Sequence, residues 1–215
     1  LEPYRMLIGT DLADMVMIGH LYNADIEGGG ADRLPASLSP AWIEGVLNHG
    51  GLRTDAILLA HAHRAADHPA TLRELADLCL ALTPARERYD ETTMTGAAFV
   101  SAAGAWPTPV LADLPDPCPY PIAVGAIAAG HAIGIEATLL AWLTAAIHGQ
   151  VSVAVRLIPI GQSDGLAIMA ALERPIAAMA VLCQHATLDD IGAVAYAADI
   201  AQMAHETLTT RIFRS

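Results

Sequence analysis

An all-α fold is what this sequence predicts, and three observations predict it. The 215 residues are 54% hydrophobic but only 5% aromatic. The apolar content is mostly Ala, Leu, Ile and Val, and Ala and Leu lose little side-chain freedom in a helix. Apolar residues also recur at helical spacing along most of the chain, punctuated by Pro and Gly. Finally, the stretch from Ile122 to Ile147 is almost uncharged, yet Gly130, His131, Gly134 and Glu136 interrupt it. A membrane span needs about 20 apolar residues, so this stretch reads as two core helices with a stop and restart at Ile133 to Glu136. The expected whole is a single-domain helical bundle of roughly eight to ten helices, because about 100–200 residues make one domain and a chain of this length buries a core without disulfides.

The elements follow in order. Gly28 to Gly30, followed by Pro35 and Pro40, make a loop by their turn chemistry. Ser39 and Pro40 are a good N-cap and first position for a helix through Trp42, Val46 and Leu47, which Gly50 and Gly51 end. Thr54 and Asp55 open the next, with Ile57, Leu58, His61 and Ala65 in phase. His68-Pro69 separates it from a helix through Leu72, Leu75, Cys79 and Leu82. Pro84 marks another start, with Arg86, Glu87, Arg88, Asp90 and Glu91 on a polar face, and this helix runs towards Ala105. A Pro-rich loop then leads to the two apolar helices. The run from Val151 to Ile160 has the β-branched content of a strand. It continues a helical pattern, however, and Arg156 would be costly in a buried strand, so it reads as helix ending near Pro159. Gly161 to Gly165 is a turn. Helices then cover about Leu166 to His185 and Leu188 to Thr209, the last capped by Thr187 with Asp189 and Asp190 at its positive end.

Charge and cysteine content exclude several classes. The formal net charge is −12 with only 11 Lys and Arg residues, so no nucleic-acid partner and no basic membrane anchor is expected. Cys79, Cys118 and Cys183 are odd in number, widely spaced and without a Cys-x-x-Cys pattern. They read as free thiols of a reducing compartment, which makes a cytoplasmic location the expectation. Leu1 to Gly9 lack a basic stretch followed by an apolar block, so no secretory leader is read there. The chain does not begin with Met, as in a fragment or a processed form.

Candidate chemistry is sparse. His61 and His63 are two apart on a helix and do not face each other, and Pro69 ends the helix before His68 can join them. No metal site is expected, because ligand sets need convergent geometry. Ser163 and Asp164 lack a nucleophile-elbow pattern, and no phosphate- or dinucleotide-binding glycine motif is present. Arg156 is the most informative charge. It is either a structural guanidinium paired with loop carbonyls or a carboxylate such as Asp199, or an interface anchor facing a partner.

Two motifs carry a family resemblance. Arg156-Leu157-Ile158-Pro159-Ile160-Gly161-Gln162 resembles an Arg-Leu-Ile-Pro-Leu-Gly-Gln signature. His205-Glu206, followed by Arg211-Ile212-Phe213-Arg214-Ser215, is similar to a His-Glu pair preceding Arg-Leu-Phe-Arg-Ser. Both belong to the urease accessory protein UreF family. Arg86-Glu87-Arg88 with Glu91-Thr92-Thr93, and Pro121 to Gly125, are supporting matches. The resemblance covers about residues 33 to 215, a UreF-like helical domain, and leaves 1–32 as an atypical N-terminal segment.

The resemblance implies a non-catalytic urease maturation factor, a nickel-insertion chaperone scaffold. Such a protein pairs with a UreD/UreH-type protein and recruits the UreG-type GTPase, which carries nickel to apo-urease. GTP and nickel are then handled by the GTPase, this chain binds no cofactor or metal itself, and a homodimer is expected. Partner-binding or structural roles fall on Arg156, Gln162, His205, Glu206, Arg211, Ile212, Phe213 and Arg214. A helical metal-dependent hydrolase using the scattered histidines is the alternative.

Overall fold

The computed structural model describes residues 40–83, 85–157 and 161–192. Among them the chain forms seven α-helices and two single-turn 3-10 helices, with no strand. The helices are α1 (Pro40–His49), α2 (Gly51–Arg64), α3 (Pro69–Ala81), α4 (Arg86–Ala103), α5 (Tyr120–Gly130), α6 (Ile135–Leu157) and α7 (Gln162–His185). The 3-10 turns are Pro109–Ala112 and Leu188–Asp190. The helical class is as the sequence predicts. The described count is seven rather than eight to ten. The segment 1–32, Pro159 and the tail lie outside the described residues.

Helix α2 is the shared wall of the structure. Its Leu52, Ala56, Ile57, Leu58, Leu59, Ala60 and Ala62 are all buried, so it presents apolar surface on nearly every side. Leu52, Ile57 and Leu59 pack with Leu139, Leu143 and Ile147 of α6 and Leu172 and Ile176 of α7. Leu58 and Ala62 face the other way, into Leu72 and Leu75 of α3, Val110, and Ile122 and Ala126 of α5. The two clusters are therefore back to back across one helix, and Ile191 packs against both.

Such sharing requires close approach, and small residues permit it. Gly125 of α5 lies directly against α2: a methyl group there would overlap the Leu59 carbonyl oxygen and stand 3.1 Å from the His63 nitrogen. Gly96 of α4 meets the backbone of Cys118, Pro119 and Tyr120 in the same way. The edge of Tyr120 then stacks on Phe99 at 5.7 Å between ring centroids.

The boundaries have local causes. Pro69 and Pro121 sit in the first turns of α3 and α5, where a missing N–H costs nothing. α5 ends in a left-handed residue, Ala132 (φ 56). There the N–H groups of Ala132 and Ile133 donate to the carbonyls of Ala129 and Ala128, which satisfies the free helix end. This is the stop that the sequence places near Ile133, and α6 restarts at Ile135.

Three boundaries differ from expectation. α7 begins at Gln162 rather than at Leu166, so all but the first residue of the expected Gly161 to Gly165 turn is helix, with Asp164 capping the Gly161 N–H. α2 begins at Gly51 rather than at Thr54-Asp55, following α1 after the single residue Gly50. The helix expected from Leu188 to Thr209 is, in its described part, only the turn Leu188–Asp190, with Gly192 at φ 141 two residues beyond it. The Asp190 carboxylate accepts the Thr187 N–H at 2.8 Å and its hydroxyl at 2.9 Å, closing a local cap. Ile191 then turns inward instead of continuing a helix.

The α2–α5 contact makes a testable demand. Gly125→Ala should destabilise the protein by about 1–3 kcal/mol in chemical denaturation, because backbone must move to admit the methyl. Gly134→Ala, where a methyl meets nothing within 4 Å, should leave the midpoint nearly unchanged.

Candidate functional site

Polar chemistry collects near the two ends of α2 and at the corner between α6 and α7. Near the first end, Asp55 accepts a hydrogen bond from Arg88 Nη2 of α4, and Arg88 Nη1 lies 3.7 Å from Glu91 Oε2. All three side chains are less than a fifth exposed. Burial pulls the Arg88 guanidinium below its ordinary pKa, and the Glu91 charge opposes that shift. This corrects the expected polar face of α4. Arg86 and Asp90 do face solvent as an i,i+4 pair. Arg88 and Glu91 turn inward instead, on the side where Thr92 Oγ1 accepts the Tyr120 N–H at 3.2 Å. Thr92, in one supporting segment of the resemblance (86–93), thereby meets Tyr120, the residue directly before the other (121–125).

At the other end of α2, three basic side chains hold carbonyls of distant elements. Arg64 donates to Gln184 O at 3.0 Å, His61 Nε2 bonds Ala186 O at 3.2 Å, and His63 Nε2 bonds Ile133 O at 2.7 Å. The first two secure the end of α7 and the third secures the α5–α6 turn, so His61 and His63 point to different partners. Burial, and secondarily Arg64, lower the His61 pKa, while the Ala186 carbonyl acts in the opposite sense. His68 lies at the start of α3 beside Asp67, 3.5 Å away and open to solvent. Among the described residues, no group of three or more His, Cys, Asp or Glu side chains is placed to hold a metal ion.

All three cysteines are free and buried. Burial pushes the Cys118 thiol up to about 12 and Cys183 to about 11, and raises Cys79 further, so the reactive thiolate is suppressed at each. Asp164 accepts the Gly161 N–H at 2.9 Å and starts α7.

The α6–α7 corner carries the sequence motif. Arg156 lies in the last turn of α6 and Gln162 is the first residue of α7, and both are exposed. The apolar run around Arg156 is therefore the end of a helix whose inner side is Ile147, Val151 and Ala154. The guanidinium turns out to water, and no buried charge needs compensation there. His205, Glu206, Arg211, Ile212, Phe213 and Arg214, and the proposed partner Asp199, lie outside the described residues.

The sequence did not signal the Asp55–Arg88–Glu91 group. Its one local sign was the i,i+3 spacing of Arg88 and Glu91, which also suits a solvated face.

Two measurements test these clusters. Arg88→Ala should cost about 3–5 kcal/mol in chemical denaturation, because it strands the buried carboxylates of Asp55 and Glu91, whereas a combined Arg88→Met, Asp55→Leu and Glu91→Leu change should recover most of that loss. At His61, the unfolded chain takes up a proton below the ordinary histidine pKa of about 6.5 more readily than the folded chain does. Stability should hold above that pH and decline as pH falls through the lowered folded pKa, and His61→Gln should flatten the decline. An unchanged slope in that variant would assign it to other groups.

A family model described as UreF matches residues 35–173, from the start of α1 through the first half of α7. The chain is 47% identical over 190 residues to the urease accessory protein UreF of Allorhizobium ampelinum (strain S4), covering 88% of this chain and 83% of that one. It is 46% identical over 200 residues to the UreF of Rhizobium etli (strain CIAT 652), covering 92% and 89%. With the UreF of Agrobacterium fabrum (strain C58) it shares 48% over 174 residues, covering 81% and 78%.

Proposed function

The chain belongs to the UreF family of urease accessory proteins, and from that premise we propose that it is a maturation scaffold for delivering nickel to urease. The single observation that carries this reading is the identity of nearly half its residues with UreF proteins over most of its length. The exposed Arg156 and Gln162 at the α6–α7 corner support it, since an exposed motif is available to a partner. In this reading the chain is one helical domain that works in the cytoplasm as a homodimer. It binds a UreD/UreH-type protein, and together they recruit a UreG-type GTPase to apo-urease.

Nickel and GTP belong to the GTPase, and this chain contributes surfaces rather than catalytic groups. A scaffold changes its partner's behaviour only by binding one of its conformations more tightly than another. The relevant residues are therefore those that can anchor a partner. Arg156 offers a planar donor fork that pairs well with a carboxylate. Ile212 and Phe213 offer apolar area between two arginines, and burying each contributes on the order of 1.5–3 kcal/mol.

The test is co-purification with the UreD/UreH-type and UreG-type proteins, followed by nickel-dependent activation of apo-urease. Arg156→Ala, and separately deletion of residues 211–215, should each weaken the complex by about tenfold or more, equivalent to about 1.4 kcal/mol. The melting temperature of the isolated chain should change little. Full retention of affinity and activation by both variants would remove these residues from the interface. A chain that neither binds those partners nor promotes activation would overturn the scaffold reading.

A further inference from the structure

We draw no further inference here: the strongest candidate, the exposed apolar face of α7 that bears Leu166, Val181 and Leu182, carries none because nothing in the structure shows what covers it.

Discussion

Everything described in this fold depends on α2 being buried on nearly all sides at once. A surface helix needs one apolar stripe, but a helix between two clusters needs apolar residues all round. Leu52, Ile57 and Leu59 serve one cluster and Leu58 and Ala62 the other. That arrangement also fixes how closely α5 must approach, and Gly125 is the residue that permits it. A core packed to crystal-like density has no slack to absorb even one methyl at such a contact.

The polar groups of α2 are placed by the same constraint. A helix so enclosed can carry charge only towards its ends, and that is where its charge lies. Asp55, near the first end, is paired with Arg88 of α4. His61, His63 and Arg64, at the last turn, hold carbonyls of α7 and of the α5–α6 turn. These bonds add specificity to the apolar packing. They tie elements far apart in sequence to one register, and they also account for why these histidines bind backbone rather than converge on a metal.

The outer surfaces carry what the core does not need. Arg156 and Gln162 stand exposed at the α6–α7 corner, where the chain must turn and where a partner can reach it. The outer side of α7 is apolar without any role in the two clusters. Membership of the UreF family gives those surfaces a biological context in urease maturation.

The sequence by itself determined the helical class, most helix boundaries and the family. Each is written in short-range signals: Pro at helix starts, apolar spacing at 3.6 residues, and the Arg156 to Gln162 motif. It also marked the break between α5 and α6, because Gly130 and Gly134 bracket the turn. Only the tertiary structure decided which polar residues are buried. Arg88 and Glu91 look like surface charges on a helical wheel, and their meeting with Asp55, 33 residues away, depends on the α2–α4 approach. Arg156 is the converse case. Its apolar neighbours in sequence suggested burial, but the rotation of α6 on the core turned it outward. Local pattern specifies an element and its apolar stripe, whereas the environment of a single charge depends on what the folded chain packs against it.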